Sequence, residues 1–365
     1  FFLSRNFSNY FSYAVNSQIT IITEAPSPFP TVSFCNLNSL VTPAALAYSQ
    51  SMLAAAAADF SINKTFSDYE FAESYNTIVT ISISGNASFS DTERRAAYGV
   101  PLDEFLLYCW FNSLDCNTSG IGWYYDSSYG SCYRFNPRGE MSSWVAGKNN
   151  GLSMLLYLEQ SNDPFAFTSK AGAHITVHNH SVNASSFEGF NVRAGTETNV
   201  VVSRVFSRRL SSPFSNCVTD PLSFKTSIFT TYFAQHSIEY TQNRCYHYCF
   251  QRWLVEKCGC FGGSFSPMHF GAQHHCTNLT EITCEFNAFY NYFKSVVQLN
   301  CSDAECPPEC QSLVYETSQS FADISTSSVA MIVVKSRPWL CRKLFNMSVD
   351  EFNDALADGR ITPNM

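Results

Sequence analysis

The stretch Tyr240-Thr-Gln-Asn-Arg-Cys245-Tyr-His-Tyr-Cys249, continuing to Cys258-Gly-Cys260, carries the strongest structural signal in this 365-residue chain. Cys245 and Cys249 are four residues apart, so both sulfur atoms lie on one face of a helix predicted over 241–257. A second helix is predicted over 281–299, and three cysteines follow it, Cys301, Cys306 and Cys310. Antiparallel packing would join the two groups as rungs of a disulfide ladder. The connection between the helices carries four more cysteines, Cys258, Cys260, Cys276 and Cys284.

Zinc binding is the alternative use of these cysteines, because Cys258, Cys260 and Cys276 lie close in sequence to His274 and His275. A repeated C-x2-C spacing is absent, however, and 15 cysteines in a non-repetitive chain indicate an oxidising compartment. Nine Asn-x-Ser/Thr sequons indicate the same setting, at Asn6, Asn63, Asn86, Asn117, Asn179, Asn183, Asn278, Asn300 and Asn346. We therefore expect disulfides, glycans and an extracellular location.

Composition and motifs exclude several classes of protein. A net charge of -8 argues against a nucleic-acid partner, which would require clustered Lys and Arg. No apolar run approaches the roughly 18 residues that span a bilayer, and no signal-peptide pattern opens the chain. We therefore expect that a signal was removed or that membrane helices flank the chain.

Enzyme motifs are missing as well. The sequence contains no G-x-S-x-G, no H-E-x-x-H and no phosphate-binding glycine loop, so we expect no enzyme, catalytic residue, metal or cofactor. His174, His178 and His180 alternate along a predicted strand, where they could form a metal site. A solvent-facing strand edge is the favoured interpretation of these histidines.

Helix and strand signals predict an α+β fold. Thr42 as N-cap and Pro43 at the first helical position predict a helix over 42–58. Start signals at Asp91 and Pro101 predict helices over 91–98 and 101–112. Strands are predicted over Thr31 to Phe34, Trp123 to Phe135, Leu152 to Leu158, His174 to His178, Thr198 to Phe206 and Thr226 to Tyr240. The last 40 residues predict helices over Ser327 to Phe345 and Ser348 to Leu356.

Ordered motifs run through nearly the whole chain. They include Phe29-Pro30-Thr-Val-Ser-Phe-Cys35-Asn36-Leu-Asn38, Tyr129-Gly130-Ser-Cys132-Tyr-Arg-Phe135-Asn136, Ala171-Gly172-Ala-His-Ile-Thr-Val-His178, Arg209-Leu210-x2-Pro213-Phe214-x2-Cys217 and Cys306-Pro-Pro-Glu-Cys310. In this order, with the cysteine pairs of the opening stretch, they resemble the ectodomain of the degenerin/epithelial sodium channel (DEG/ENaC/ASIC) family. The resemblance implies the extracellular part of a trimeric, amiloride-type, sodium-selective cation channel of the plasma membrane. Two further subunits would be its partners, and flanking helices would anchor it in the membrane.

The family fold resembles a clenched hand, with a palm sheet, a β-ball, a finger, a thumb and a knuckle. The resemblance assigns 1–40 to the outer end of the first membrane helix, the wrist and the first palm strand, and 41–118 to the finger. It assigns 119–240 to the β-ball and palm strands, 241–310 to the disulfide-laddered thumb, 311–324 to a palm strand and 325–365 to the knuckle helices.

Family pairing also implies seven disulfides. They are Cys35 with Cys132, Cys109 with Cys116, Cys217 with Cys310, Cys245 with Cys306, Cys249 with Cys301, Cys258 with Cys284, and Cys260 with Cys276. Cys341 is left over, which implies a free thiol or a partner outside the chain. Channels of this family couple the thumb to the first membrane helix through an aromatic wrist contact, which alignment assigns to Tyr13 and Phe214. Ordinary packing of these two aromatic residues is the alternative.

An acidic, aromatic region over 59–104 suggests what opens such a channel. The region contains eight acidic and three basic residues, which gives it a net charge of -5, and aromatic residues are interleaved with them in the sequence. This combination suits a short, amidated, cationic peptide, as in the FMRFamide-activated channels of invertebrates. The candidate contacts are Asp91, Glu93, Tyr98, Asp103 and Phe105. Core packing of the aromatic residues with a solvated acidic face is the alternative.

Other functions remain open at this point. Acid sensing would require carboxylates close enough to share a proton. A mechanically gated or constitutively open member of the same family is a further possibility. Outside that family, the same disulfide scaffold would suit a secreted binding module.

Overall fold

The computed structural model describes residues 17–58, 68–86, 90–147, 150–158, 170–181, 188–219, 228–236, 239–262, 270, 274–295, 305–324 and 347–358. Eight α-helices are described in these ranges: α1 Pro43–Ala58, α2 Asp68–Gly85, α3 Asp91–Ala97, α4 Leu102–Phe105, α5 Ile228–Gln235, α6 Gln242–Cys258, α7 Leu279–Ser295 and α8 Val349–Ala357. The twelve strands described are β1 Ser27–Pro28, β2 Thr31–Asn36, β3 Leu106–Phe111, β4 Leu114–Asp115, β5 Gly122–Asp126, β6 Gly130–Phe135, β7 Ser142–Ser143, β8 Leu152–Leu156, β9 Gly172–His178, β10 Phe190–Arg193, β11 Thr196–Arg208 and β12 Gln311–Asp323. The mixture of helices and antiparallel sheets confirms the predicted α+β class.

A five-stranded antiparallel sheet in the order β10-β9-β2-β6-β5 forms the centre of the fold. Every residue of β2 is buried, as expected for a central strand that is covered on both faces. In this register Cys35 lies opposite Cys132, to which it is disulfide-bonded. Aromatic side chains pack over one face, where the ring centroids of Phe34 and Tyr133 are 5.9 Å apart.

The prediction of a solvent-facing strand edge is wrong for His174 and His178, the two histidines of β9, whereas His180, which follows the strand, is exposed. His174 and His178 are buried, because β9 lies between β2 and β10 and both of its edges are paired. The Nδ1–H of His178 donates to the Asn179 carbonyl, and its Nε2 accepts from the Ser33 hydroxyl. Among the described residues, no cluster that could hold a metal ion is found.

Residues 101–112 do not form the predicted helix. Only Leu102–Phe105 is helical, and the next six residues form β3, which pairs with β4 and β8. The disulfide between Cys109 and Cys116 closes the β3–β4 hairpin. Pairing with β8, a strand distant in the sequence, therefore outweighs the helix start signal at Pro101.

The predicted strand over 226–240 is also wrong, since α5 occupies Ile228–Gln235. Phe229 and Phe233 are four residues apart, so a helix directs both to the same side, where they are fully buried. The Phe233 ring contacts Tyr248 of α6, with centroids 4.7 Å apart. Burial against a neighbouring helix thus decides the local conformation over β propensity.

Helices α1 and α6 begin as the sequence predicts. At the start of α1 the Thr42 hydroxyl accepts a hydrogen bond from the Ala45 N–H, and at the start of α6 the Thr241 hydroxyl accepts one from the Arg244 N–H. The glycine between the two cysteines of the C-G-C motif ends α6. This residue, Gly259, adopts the left-handed conformation (φ 74°) that glycine tolerates best.

Six disulfides of the family pattern are present in the described structure. Besides the two already described, they join Cys217 to Cys310, Cys245 to Cys306, Cys258 to Cys284, and Cys260 to Cys276. Cys249 is also disulfide-bonded, but its predicted partner Cys301 lies outside the described residues, as does Cys341. The thiols proposed for zinc are oxidised, which contradicts the zinc alternative.

Strands β11 and β12 form a separate two-stranded antiparallel ribbon of 13 residue pairs, from Thr196 opposite Asp323 to Arg208 opposite Gln311. The prediction of a strand over 198–206 is confirmed. Large apolar side chains on both of its faces are exposed, among them Val201, Phe206, Val314 and Phe321. Within the described ranges, no helix is long and apolar enough to cross a membrane.

Candidate ligand-sensing surface and gating contacts

The candidate peptide contacts Asp91 and Glu93 lie in the first turn of α3. Ser90 and Glu93 form a capping box, in which the Ser90 hydroxyl accepts from the Glu93 N–H and the Glu93 carboxylate accepts from the Ser90 N–H at 2.7 Å. These hydrogen bonds from Ser90 lower the pKa of the Glu93 carboxyl. Glu93 therefore stays ionised and exposed, but its carboxylate already accepts hydrogen bonds from Ser90 at the N-terminus of α3.

Asp91 forms an ion pair with Arg94, with Oδ1 and Nη1 3.0 Å apart. The Arg94 side chain is only 14% exposed, because it continues towards the end of α2. There its guanidinium donates to three main-chain carbonyls, those of Ile83, Ser84 and Asn86, at 2.8 to 3.1 Å. Arg94 thus caps the carbonyl end of α2, where a cation also complements the helix dipole.

Replacing Arg94 by alanine should destabilise the protein by about 2 kcal/mol, because carbonyls at the end of α2 would lose charged hydrogen-bond donors. Arg193→Ala is the matched control: Arg193 also pairs with an aspartate, Asp323, but both side chains are mostly exposed. We expect the control to change stability by less than about 1 kcal/mol. Denaturant unfolding of the purified full-length variants measures both effects, and equal losses would contradict the capping role of Arg94.

The other candidate contacts divide into surface and core residues. Asp103 is exposed in α4, and Tyr98, after the end of α3, is partly exposed and packs edge to face on Tyr48 at 5.9 Å. Phe105 is only 1% exposed and packs on Phe34, with ring centroids 5.7 Å apart. The prediction that Phe105 contacts a ligand is therefore wrong, because the sheet core covers its ring.

The helices of the acidic region rest directly on the disulfide-bonded helix pair. Ile282 of α7 is fully buried and packs with Ile78 and Ile81 of α2, and Met52 of α1 packs against the same cluster. At its first turns α7 is joined to the end of α6 by the bridge from Cys258 to Cys284. A movement of α2 would therefore be passed to α6 and α7 through packed side chains.

Glu285 is a feature of α7 that the sequence analysis missed. It lies three residues after Ile282, its side chain is buried, and its Oε2 has no hydrogen-bond partner among the described residues. Burial raises the pKa of this carboxyl to about 8. Glu285 is therefore neutral at acidic and neutral pH, and nothing in its sequence context distinguishes it from an exposed helix glutamate.

Of the two residues predicted to form the wrist contact, the structure describes only Phe214. Phe214 is 45% exposed, and its main-chain N–H donates to the Ser211 carbonyl at 3.0 Å. Tyr13 lies outside the described residues. The contact between the two aromatic residues therefore stays a prediction.

Four of the nine sequons fall in the described structure. Asn117 and Asn278 are exposed, whereas Asn86 and Asn179 are partly buried. The Oδ1 of Asn117 accepts from the Ser119 N–H, and that of Asn278 accepts from the Glu281 N–H. Both exposed sequons thus stand at helix starts on the surface, Asn117 before a short 3-10 turn and Asn278 before α7. The remaining five, Asn6, Asn63, Asn183, Asn300 and Asn346, lie outside the described residues.

The disulfide-bonded α+β fold is consistent with the extracellular region of a degenerin/epithelial sodium channel. A sequence profile of the family described as amiloride-sensitive sodium channel matches residues 1–354, and the chain belongs to this family. The family consists of ion channels and not of enzymes.

Individual relatives are epithelial sodium channel subunits. The chain is 28% identical over 230 residues to the subunit alpha of Xenopus laevis. This alignment covers 60% of this chain and 34% of that protein. It is 30% identical over 216 residues to the subunit alpha of Anolis carolinensis, an alignment that covers 57% of this chain and 31% of that protein. It is 29% identical over 259 residues to the subunit gamma of Xenopus laevis, an alignment that covers 69% of this chain and 36% of that protein. The chain thus spans about a third of the length of these relatives.

Proposed function

We propose that this chain is the extracellular sensing and gating region of a sodium-conducting cation channel in the plasma membrane. The observation that carries this proposal is the family match over residues 1–354. Oxidised cysteines and the exposed sequons at Asn117 and Asn278 support an extracellular position. Membrane helices that flank this chain would form the pore.

The structural elements suggest how the parts of a channel ectodomain are distributed. We assign the finger to 41–118, which contains α1 to α4, and the thumb to 241–310, which contains α6 and α7 with the bridges that join them. The central sheet and the ribbon would form the β-ball and palm within 119–240 and 311–324. Residues 1–40 would include the wrist, and 325–365, with α8, the knuckle.

The ribbon supports assembly with further subunits. Val201, Phe206, Val314 and Phe321 are 53% to 71% exposed on its two faces. Isolated chains seldom expose so many large apolar side chains on one element, because each costs hydration free energy. Two further subunits, as in a trimer, would cover these faces. The relatives of this chain are themselves named as alpha and gamma subunits.

A short, amidated, cationic peptide is the proposed activator, and the surface around α3 and α4 is its proposed site. Asp91, Glu93 and Asp103 are exposed there, and the Tyr98 ring is partly accessible next to them in sequence. Exposed carboxylates attract a cationic peptide by long-range electrostatics, and an aromatic ring adds a cation–π contact. The peptide would press on α3, whose Arg94 caps the end of α2, the helix that packs against α7.

Acid sensing is the alternative within the family. It requires carboxylates that share a proton, yet the partners of Asp91 and Glu93 are Arg94 and Ser90. For Glu93, the hydrogen bonds from Ser90 lower the pKa of the carboxyl and so disfavour proton uptake. This pKa shift of Glu93 supports the choice of a peptide over the proton as the proposed stimulus.

Current recorded from the full-length protein tests both proposals. We expect a sodium current on application of FMRFamide and little current on a step to acidic pH. Asp103→Asn should raise the half-maximal peptide concentration by roughly threefold, the effect of removing one exposed charge contact. Asp350→Asn is the matched control, since Asp350 is an exposed acid in the first turn of α8.

Three outcomes would contradict parts of this proposal. A large acid current without a peptide response would replace the peptide by the proton. A current that needs neither stimulus would indicate a mechanically gated or constitutive channel. A secreted protein without flanking membrane helices in the full reading frame would make the chain a binding module.

A further inference from the structure

The chain segment 17–26, which precedes β1, is exposed along its whole length. Ile19, Ile21 and Ile22 point into solvent, and each is more than three-quarters exposed. Such a segment needs an attachment if it is to follow the movements of the domain. Glu24 supplies one, because its carboxylate forms an ion pair with Arg204 of the ribbon.

Arg204 is held firmly on the ribbon side of this ion pair. It stands opposite Tyr315 in the register of β11 and β12, and the Tyr315 side chain hydrogen-bonds to it. Its guanidinium also lies over the Phe206 ring, 4.9 Å from the centroid. The Arg204 side chain is only 19% exposed. An arginine suits this position because its planar head can stack and donate several hydrogen bonds at once.

The ribbon is in turn tied to the disulfide-bonded helix pair. The Arg209 N–H, one residue beyond β11, donates to the Cys310 carbonyl at 2.7 Å, and β12 begins at the next residue after Cys310. Cys310 is bonded to Cys217, and the nearby Cys306 is bonded to Cys245 of α6. A continuous set of covalent and hydrogen-bonded links therefore runs from α6 to Arg204.

We propose that the ion pair between Glu24 and Arg204 is a gating contact, which passes movement of the ribbon to the segment on the N-terminal side of β1. The proposal rests on the proposed channel function, in which that segment leads to a membrane helix. Glu24 and Arg204 act as positioning residues: they touch neither the ion nor a ligand. Loss of the pair would leave the exposed segment free of this attachment and uncouple it from the ribbon.

Charge reversal and charge exchange in the full-length channel test this contact. Glu24→Arg and Arg204→Glu should each change the single-channel open probability, recorded with and without FMRFamide, by about fivefold. The exchanged pair, which carries both substitutions, should return to within about twofold of wild type, because the opposite charges meet again. Arg193→Asp with Asp323→Arg is the matched control, an exposed ion pair between β10 and β12. Its reversals should leave gating unchanged.

Surface biotinylation separates gating from folding in this experiment. If the reversals do not reach the surface, Glu24→Gln and Arg204→Lys replace them, with a smaller shift of about twofold expected. Wild-type gating in the single variants, or no recovery in the exchanged pair at normal surface level, would overturn the contact while leaving the channel function intact. Absence of current from surface-expressed wild type with FMRFamide, at acidic pH and without either stimulus would overturn the channel function itself and the gating contact with it.

Discussion

Replacing Glu285 by glutamine should remove a loss of stability that the wild-type protein shows as the pH rises from about 5 to about 8. The carboxyl of Glu285 is buried on α7, its Oε2 lacks a hydrogen-bond partner among the described residues, and its pKa is about 8 in the folded state. In the unfolded chain the same carboxyl titrates near 4.5. Between these two values the folded protein holds a proton that the unfolded chain has released.

The sign of the effect follows from this proton. A state that binds more protons is stabilised at low pH, so the contribution of Glu285 is fully present below about pH 4.5 and is lost progressively as the pH approaches 8. The upper bound of the loss is about 5 kcal/mol, from a pKa difference of roughly 3.5 and about 1.36 kcal/mol per unit. Glutamine has nearly the same shape and no charge to bury, so the variant should be the more stable protein at pH 8.

Denaturant unfolding of the full-length protein at several pH values between about 5 and about 8 measures this difference. Glu256→Gln is the matched control, because Glu256 is an exposed carboxylate on α6. The control should keep the pH dependence of wild type. If Glu285→Gln kept it as well, Glu285 would be solvated or paired, and the buried site described above would be wrong.

Removing the disulfide between Cys35 and Cys132 with paired serines should destabilise the protein by about 4 to 5 kcal/mol. The bridge spans 97 residues, so it restricts the unfolded chain strongly. Both cysteines are also buried in the central sheet, where they face each other across β2 and β6. Two buried serine hydroxyls would add a desolvation cost.

The bridge between Cys109 and Cys116 provides the comparison for this experiment. It spans only 7 residues and should contribute about 2 kcal/mol by the same reasoning. Denaturant midpoints of the two paired serine variants, with surface expression as a second readout, rank the contributions. Equal losses would mean that chain restriction is not the main effect of the longer bridge.

Secondary structure could be predicted from the sequence where local chemistry and tertiary contacts agree. Thr42 starts α1, and Thr241 and Gly259 bound α6, because capping hydrogen bonds involve neighbouring residues. Helix α2 was not predicted, since its β-branched stretch from Thr77 to Ile83 has no helical signal of its own. Packing of its buried residues on α1 and α7 stabilises this helix instead.

The candidate site was only partly accessible to sequence reasoning. The exposed acids of α3 were found because charge is visible in the sequence, whereas Phe105 was wrongly included because burial is not. Arg94 was counted as one of three basic residues, although its three carbonyl partners make it a helix cap. Those partners lie 8 to 11 residues away, beyond the range of a local pattern.

The sequence by itself determined the α+β class, the oxidised cysteines and the membership of a channel family, because these depend on residue types and their order along the chain. Only the tertiary structure decided that β3 is a strand, that α5 is a helix and that Glu285 is buried. The reason is that hydrogen-bond partners and burial come from segments distant in sequence, and their free energies exceed the small local preferences of the chain.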